Sequence, residues 1–301
     1  MSTAICIIGF GEAGTVFASQ LAARAPVRAY DILRSAAEFK SRLADFQQYQ
    51  IEFPMSAAQA AEDAKLIVSL VTAASSLDVA REAEGYLRPG QVFLDLNSVS
   101  PGTKKASAAI VERTGALYID GAVMAPVHPR GLAVPILLAG KGSGLVADLL
   151  GGFGMNLEIV ADEIGVASAT KMCRSVIIKG IEALCSEAFL AARAYGVEGR
   201  VLSSLHDTFP GTDWPRFAGY QVGRSLVHGR RRAAEMREVS ATVSEAGIAP
   251  HMSSATALRQ DWAADLSDAN PDLKARRDAE WLDTLDLILA AGSRNDSAVD
   301  I

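Results

Sequence analysis

The first half of the chain alternates short apolar runs with stretches of helical periodicity. Glycine, proline and small polar residues bound the apolar runs, which is typical of buried strands. Strands that alternate with helices in this way predict a parallel sheet with right-handed crossovers. The strands are expected at Ala4–Ile8, Val27–Tyr30, Lys65–Val71, Gln91–Leu96, Leu117–Asp120, Val134–Ala139 and Asn156–Val160.

After residue 164 the pattern is helical throughout. Its most prominent stretch, Gly165–Tyr195, has no proline and is apolar on more than one face. It is far longer than the mean helix of about 11–12 residues, and its apolar surface predicts a central, buried helix. Lys171 and Lys179 interrupt it, and a buried lysine requires a partner or a function. Further helices are expected at Glu198–His206, Trp214–Glu245, Ser253–Leu266 and Asp272–Ala291.

The change of pattern predicts two domains, which suits a chain of 301 residues. Residues 1–164 would form an α/β unit with a Rossmann-type doubly wound sheet. Residues 165–301 would form an all-α C-terminal domain for substrate binding and dimerisation. The last two predicted strands would extend the sheet, and an antiparallel arrangement is open for them.

Composition and net charge indicate which kinds of partner and which cellular compartment suit the chain. Half of the residues are hydrophobic, so a large core can form, and the net charge is −6. An acidic chain suits neither nucleic acid nor an anionic membrane as a partner. The three cysteines lack the spacing of a zinc site, so no metal is predicted, and their odd number suits a reducing compartment. Because no apolar run approaches the roughly 18 residues of a membrane span, we expect a soluble, cytoplasmic protein.

A glycine-rich turn joins the first strand to the first helix. This position, after a strand and at the start of a helix, is the required context of a dinucleotide fingerprint. The first glycine permits the tight turn, the second lets backbone approach a pyrophosphate, and the third lets helix and strand pack. Free N–H groups at the helix N-terminus would bind the phosphates. Six residues of the turn are predicted to bind the cofactor: Gly9, Phe10, Gly11, Glu12, Ala13 and Gly14.

Asp31 follows the second strand and bears on the choice of cofactor. Its carboxylate can accept hydrogen bonds from both ribose hydroxyls and would repel a 2′-phosphate, which favours NAD. Arg34 could instead meet a 2′-phosphate, so NADP stays possible.

Ligands of a doubly wound sheet bind beyond the carboxyl ends of its strands, although polar residues there also serve as helix N-caps or turn formers. Four further cofactor-binding residues are expected at these ends: Val71, Thr72, Asn97 and Ser98.

Four motifs in chain order resemble those of the β-hydroxyacid dehydrogenase family, whose members include 3-hydroxyisobutyrate and 6-phosphogluconate dehydrogenases. The turn at residues 9–14 is similar to the family's GLGxMG-type fingerprint, and residues 95–101 (DLNSVSP) to its DxSTxxP segment beside the nicotinamide. Residues 120–126 (DGAVMAP) align with its DAPVSGG segment, and residues 165–175 with its GxxxxxKxxxN segment. The resemblance covers essentially the whole chain, more loosely after about residue 200, and extends to a subgroup with its own C-terminal helical domain.

The resemblance implies an NAD(P)-dependent dehydrogenase that transfers hydride between a hydroxyl-bearing carbon and nicotinamide, with the substrate in the cleft between two domains. The substrate would be a hydroxy acid or a related alcohol. Oxidation of an alcohol needs a base for the hydroxyl proton, and Lys171 is predicted to be this general acid/base. Ser175, one helical turn later, replaces a family asparagine and could bond a substrate hydroxyl. Because family members pair through the C-terminal domain, a homodimer or higher homo-oligomer is expected.

One segment departs from the family pattern. The family holds the substrate carboxylate with the hydroxyl and backbone N–H groups of VSGG, but Met124, Ala125 and Pro126 stand there in this chain. Methionine has no hydroxyl and proline no N–H. Met124 and Ala125 are therefore predicted to contact a bulkier or more apolar substrate. His128 and Arg130, just beyond, either replace the lost polarity or belong to a solvated loop.

Two cationic residues are further candidates for substrate binding. Arg231, in a run of three arginines, is at i, i+4 spacing from Glu235; it belongs either to an anion site for a carboxylate or phosphate or to a solvated, ion-paired helix face. Lys179 lies two turns after Lys171 on nearly the same face. It would contact a distal substrate group or pair with a carboxylate such as Glu182 or Glu235.

Two other functions stay open. An oxidative decarboxylase of a sugar acid would need a second acid and a firm carboxylate anchor, which the altered segment at 124–126 makes harder to supply. A catalytically decayed dinucleotide-binding sensor is favoured by Met124, Pro126 and Ser175 but opposed by Lys171 and the fingerprint. The sequence leaves open the identity of the substrate and the physiological direction of the reaction.

Overall fold

The structure, a computed structural model, describes residues 4–37, 39–40, 46–275 and 281–295. Two compact units comprise residues 1–172 and residues 173–301. The described strands are β1 (Ala4–Ile8), β2 (Val27–Tyr30), β3 (Ala64–Ser69), β4 (Val92–Asp95), β5 (Leu117–Val123), β6 (Pro135–Ala139) and β7 (Asn156–Ala161). The α-helices beside them are α1 (Glu12–Leu21), α2 (Ala57–Ala61), α3 (Ser76–Glu84), α4 (Pro101–Glu112) and α5 (Ser143–Gly151).

These strands form one sheet in the order β2-β1-β3-β4-β5-β6-β7. Pairing is parallel from β2 through β5, and the chain winds outward in both directions from β1, which is the doubly wound arrangement. β6 runs antiparallel to β5, and β7 runs parallel to β6. The predicted Rossmann-type fold class is confirmed, and both added strands, β6 and β7, run antiparallel to β1–β5.

Both faces of the sheet are covered, which explains the continuous apolar runs of the central strands. On one face, Ile5 and Ile7 of β1 pack in a cluster with Phe17 of α1. On the other, Cys6 of β1 packs in a cluster with Ala80 of α3. The sheet therefore offers ligands only its edges and the ends of its strands.

The third strand ends two residues earlier than the pattern predicts. β3 stops at Ser69, although the N–H of Leu70 still donates to the carbonyl of Ile8. Val71 leaves the ladder because its N–H donates to the side chain of Asn97 instead. The polar residue after β4 thus determines where the neighbouring strand ends.

The second unit is helical throughout its described part, so the predicted all-α domain is confirmed. Its core cluster includes Phe189, Val222 and Leu285. Within the expected helix Asp272–Ala291, residues 276–280 lie outside the described residues, and the described parts on either side are helical. Nowhere in the described residues is a helix both long and apolar enough to cross a membrane. The helices are α6 (Val166–Ala194, which begins in the first unit), α7 (Glu198–Thr208), α8 (Trp214–Glu245), α9 (His251–Ala269), α10 (Pro271–Ala275) and α11 (Trp281–Asn295).

Helix α6 is less buried within the single chain than the predicted central, buried helix. Ile177, Ile178 and Leu184 are 64%, 40% and 56% exposed within the single chain. The face that is buried carries polar groups at helical spacing, so the apolar content of the helix did not indicate which face points inward. The buried polar residues of α6 in the second unit are Ser175, Lys179, Glu182 and Ser186.

Candidate functional site

The glycine turn has the geometry that close approach to a phosphate requires. Gly9 has φ +94°, and a Cβ there would lie 2.5 Å from the carbonyl oxygen of Leu70. A Cβ on Gly14 would lie 1.9 Å from the Gly9 carbonyl oxygen, whereas one on Gly11 would meet nothing within 4 Å. Gly11 is the N-cap of α1 and supplies no side-chain cap. The first N–H groups of α1 can therefore donate to an anionic ligand.

Phe10 contributes to this turn through its backbone. Its ring is 2% exposed and packs against Phe39, Phe46 and Phe53, with ring centroids 5.9, 5.1 and 5.0 Å away. Its N–H donates to Oδ2 of Asp31 at 2.7 Å. The aromatic cluster thus holds the turn in place, while Gly11 and Glu12, which follow Phe10, are exposed.

Asp31 is held in a fixed orientation at the end of β2. One carboxylate oxygen accepts from Phe10, and the other accepts from the N–H of Leu33 at 2.8 Å. Each oxygen keeps a further lone pair for another donor. Arg34 turns toward Met55, with Nη1 2.7 Å from the sulfur. The Asp31 carboxylate is therefore a fixed negative charge beside the glycine turn.

Asn97 ties together the ends of β3 and β4. Its Oδ1 accepts from the N–H of Val71 at 2.7 Å, and its Nδ2 donates to the hydroxyls of Ser69 at 2.9 Å and Ser76 at 3.1 Å. The side chain is 4% exposed. Its amide is thus engaged in shaping the strand ends where Val71 and Thr72 emerge. Thr72 is exposed, and its hydroxyl is 3.1 Å from that of Ser75.

Ser98 and Lys171 are brought together from separate elements. Ser98 lies in the turn after β4, and Lys171 lies in the second turn of α6. The Lys171 amine donates to the Ser98 hydroxyl at 2.5 Å, and both residues are half-buried. Two residues predicted independently, one for cofactor binding and one for catalysis, therefore share one site in the first unit.

A buried charged network that sequence reasoning missed lies behind this pair. Lys104 in α4 is 0% exposed, and its amine is 2.9 Å from Oδ1 of Asp95 and 3.5 Å from Oδ1 of Asp120. The hydroxyl of Tyr118 donates to Oδ2 of Asp95 at 2.6 Å. Burial, followed by the charge of Asp95, raises the pKa of Tyr118 well above its usual range, so the phenol keeps its proton.

Asp120 fixes the start of helix α6. Its Oδ2 accepts from the N–H of Gly165 at 3.1 Å, from the N–H of Ser168 at 3.0 Å and from the Ser168 hydroxyl at 3.1 Å. A carboxylate at a helix N-terminus satisfies free N–H groups and complements the helix dipole. The position of Lys171 therefore depends on Asp120.

The segment that departs from the family pattern is apolar in the structure too. The N–H of Met124 donates to the carbonyl of Pro135 at 2.8 Å, which extends the β5–β6 pairing. The side chain of Met124 packs with Leu137 and Ala167, and Ala125 packs against the core on the other face of the sheet. Met124 therefore adds neither a hydroxyl nor a spare N–H here.

In the second unit, Lys179 is buried in an ion pair. Its amine lies 2.8 Å from Oε2 of Glu235 and 3.2 Å from the Ser175 hydroxyl. Burial lowers the pKa of Lys179, and the charge of Glu235 opposes this effect. Arg231 is 55% exposed at its side chain and binds the other oxygen of Glu235 at 2.6 Å, in the i, i+4 arrangement expected from the sequence.

A second buried ion pair in this unit was not predicted. Arg232 is 4% exposed, and its Nη1 lies 2.5 Å from Oε2 of Glu182. Burial raises the pKa of Glu182, and the charges of Arg232 and Arg224 oppose the rise. The helical spacing of the buried α8 residues Ser225, Gly229 and Arg232 was the available signal, since it puts Arg232, and not Arg230 or Arg231, on the inner face.

Known proteins are similar to the chain over most of its length. Residues 4–127 match the NAD binding domain of 6-phosphogluconate dehydrogenase, and residues 192–263 match a domain of unknown function (DUF1932). A conserved hypothetical protein from Sinorhizobium meliloti 1021 is 36% identical, with 97% of each chain covered and a TM-score of 0.76. A conserved protein of unknown function, described as structurally similar to 3-hydroxyacid dehydrogenases, is 29% identical, with 87% of this chain and 97% of that chain covered and a TM-score of 0.67.

An enzyme of established activity is also similar. Human mitochondrial 3-hydroxyisobutyrate dehydrogenase is 24% identical over 220 residues. The match covers 70% of this chain and 63% of the human enzyme, so it spans less than two thirds of that enzyme's length.

Proposed function

The chain belongs to the β-hydroxyacid dehydrogenase family, and from this premise we propose that it is an NAD-dependent dehydrogenase acting on a hydroxyl-bearing carbon. Family and fold support an NAD(P)-binding oxidoreductase. Beyond this, we propose NAD as the cofactor and Lys171 as the base. The substrate would be a hydroxy acid or a related alcohol.

The observation that carries the proposal is the 2.5 Å contact between the Lys171 amine and the Ser98 hydroxyl. Oxidation of an alcohol requires a base that takes the hydroxyl proton while hydride leaves the carbon. The Ser98 hydroxyl holds the amine beside the turn after β4, at the carboxyl ends of the strands, where ligands of a doubly wound sheet bind. Ser98 orients the amine, and Lys171 takes the proton in oxidation and returns it in reduction.

The glycine turn and Asp31 fit a nicotinamide dinucleotide. The uncapped N-terminus of α1 would hold the pyrophosphate, and open space at Gly11 permits the approach. Asp31 would accept bonds from the ribose hydroxyls, and its fixed negative charge favours NAD over NADP. The dinucleotide, when bound, supplies the hydride acceptor.

The residues at 124–125 favour a substrate with an apolar part. Met124 uses its N–H in the sheet and offers a thioether, which adapts to irregular apolar surfaces. An anionic group of the substrate would therefore be bound elsewhere. Lys179 and Arg231 stay candidates for this role, and both would have to share their charge with Glu235.

The test is a substrate panel in the presence of NAD⁺ or NADP⁺, followed by absorbance at the NADH band. The panel contains short hydroxy acids, hydroxy acids with apolar substituents, aryl alcohols and sugar acids. Turnover of the first three classes without release of CO₂ supports the proposal. Turnover of sugar acids with CO₂ would identify a decarboxylase instead. NAD binding without turnover of any compound would favour the dinucleotide-binding sensor.

A further inference from the structure

We propose that Lys104 is a positioning residue: by holding Asp95 and Asp120 together, it keeps the Ser98 hydroxyl and the Lys171 amine in contact. This inference rests on the proposed dehydrogenase function, because the position of the Lys171 amine affects catalysis only if Lys171 is the base. Lys104 would act on these two residues indirectly. Its effect would run through two buried carboxylates, each of which holds one side of the pair.

The first connection leads from Lys104 to Ser98. The Lys104 amine donates to the Asp95 carbonyl oxygen at 2.6 Å and lies 2.9 Å from Asp95 Oδ1. The same Oδ1 accepts from the N–H of Asn97 at 2.8 Å. Asn97 immediately precedes Ser98 in the turn after β4. Lys104 thus holds the carboxylate that determines the path of the backbone into Ser98.

The second connection leads from Lys104 to Lys171. Asp120 Oδ2 receives three hydrogen bonds from Gly165 and Ser168 at the start of α6. Asp120 Oδ1 accepts no hydrogen bond within the described part of the chain, and the Lys104 amine is 3.5 Å from it. The charge of Lys104 thus compensates the carboxylate that anchors the helix carrying Lys171.

Packing alone does not explain a lysine at this place. An apolar side chain of similar size would fill the space without the cost of burying a charge, and such replacements of buried ion pairs are often neutral or stabilising. Here both carboxylates accept hydrogen bonds from the backbone. Asp95 accepts from the N–H of Asn97, which precedes Ser98, and Asp120 accepts from N–H groups at the start of the helix that carries Lys171. Two buried carboxylates without a cation would repel each other, and the ends of β4 and β5 would shift.

The test compares Lys104→Met with Lys105→Met, the same change one residue later in α4. Lys105 is 56% exposed at its side chain and pairs with Glu163 at 3.1 Å, so it controls for loss of a lysine from this helix. We measure kcat with a panel substrate, the Kd for NADH, and the side-chain NMR signal of Lys171 in protein labelled with [13C]lysine. That signal is assigned by its loss in Lys171→Arg.

Lys104→Met is expected to lower kcat about 100-fold, the size of effect that a displacement of about 1 Å produces, and to shift the Lys171 signal. The Kd for NADH is expected to rise by a much smaller factor than kcat falls, because the glycine turn is untouched and only the contacts near Ser98 shift. Lys105→Met leaves all three quantities unchanged. Unchanged kcat and an unchanged Lys171 signal in Lys104→Met would overturn the proposal.

A milder variant covers the case that Lys104→Met does not fold. Tyr118→Phe removes only the hydroxyl that donates to Asp95 Oδ2 at 2.6 Å. It is expected to shift the Lys171 signal in the same direction and to lower kcat by a smaller factor; a parent-like spectrum would count against the positioning role. If the parent turns over no panel compound, the dehydrogenase proposal fails. The Lys171 signal then still decides whether these buried residues position Lys171.

Discussion

The Lys171 amine donates to the Ser98 hydroxyl at 2.5 Å, across the gap between the turn after β4 and the second turn of α6. The capping carboxylate of Asp120 fixes the helix side of this contact. The contact brings the proposed base and the hydroxyl that would orient it together within the first unit.

Replacement of Lys171 by methionine is expected to abolish most turnover. Loss of a general base costs about 10²–10⁴-fold in kcat, whereas NADH binding, measured by fluorescence titration, stays intact because the glycine turn is unchanged. The control is Lys141→Met, which removes an exposed lysine from the turn before α5. Turnover of Lys171→Met within a few-fold of the parent would exclude Lys171 as the base.

Asp31→Asn is expected to reverse the preference between the two dinucleotides. Loss of a charged acceptor for the ribose hydroxyls costs about 1.5–3 kcal/mol, or roughly 10–100-fold in the Kd for NADH. The Kd for NADPH should fall, since the charge that repels a 2′-phosphate is gone. Asp31 also bonds Phe10 and Leu33, so general damage to the turn is the competing explanation. Weaker binding of both cofactors in parallel would indicate damage and not specificity.

Local signals made much of the first unit predictable. The glycine turn, Asp31 and the alternation of strands and helices are encoded within short stretches, and they lie where the sequence predicts them. Lys104 was missed because its neighbour Lys105 is chemically identical. Successive helical residues differ by about 100° in direction, and only the packing of α4 on the sheet decides which lysine is buried.

The second unit was predictable as helices but not as a polar interior. The sequence of α6 indicated an apolar helix with two unexplained lysines, whereas its buried residues in this unit include Lys179 and Glu182 beside the apolar Phe189. Partners such as Glu235 and Arg232 come from α8, far away in sequence. Tertiary packing determines which face of α6 contacts these partners, and hydrophobic periodicity does not predict it.

Arg232→Met is expected to destabilise the second unit far more than Arg231→Met. Removing Arg232 leaves the buried carboxylate of Glu182 without its closest counter-charge, which costs about 3–5 kcal/mol in the free energy of unfolding. Arg231 is 55% exposed and forms a surface i, i+4 pair, which contributes only about 0.3–0.5 kcal/mol. Urea unfolding followed by helical circular dichroism measures both. Equal effects of the two substitutions would contradict the buried pairing.

The pH dependence of stability should show that burial disfavours the charged form of Lys179. Its pKa in the folded chain is lowered by burial from the model-compound value of 10.5, so the unfolded chain binds the proton more tightly. Stability therefore rises with pH between the folded pKa and about 10.5. The parent should gain free energy of unfolding relative to Lys179→Met as pH rises from neutral toward that value. A constant difference between parent and variant across this range would show that burial does not penalise the charged amine.

The exposed apolar face of α6 leads to a prediction about assembly, and we propose that a second copy of the chain covers it. Cys173, Ile177 and Leu184 recur at helical spacing on exposed positions of α6 while polar groups occupy the buried face. Burying an isoleucine or leucine contributes about 1.5–3 kcal/mol, and a two-fold interface counts each twice. The family resemblance supports pairing through this unit.

Size-exclusion chromatography with light scattering should give a dimer, or a multiple of one, for the parent and a monomer for Ile177→Glu/Leu184→Glu. The control Ile248→Glu/Leu258→Glu changes equally exposed residues outside α6, which are 62% and 70% exposed, and should leave the mass unchanged. Cys173 gives a second measurement, because burial raises the pKa of Cys6 to about 12 and of Cys185 to about 11, leaving Cys173 as the exposed thiol. A thiol reagent should react with Cys173 slowly in the dimer and rapidly in the α6 double variant. A monomeric parent at micromolar concentration, with Cys173 as reactive as in that variant, would refute the pairing.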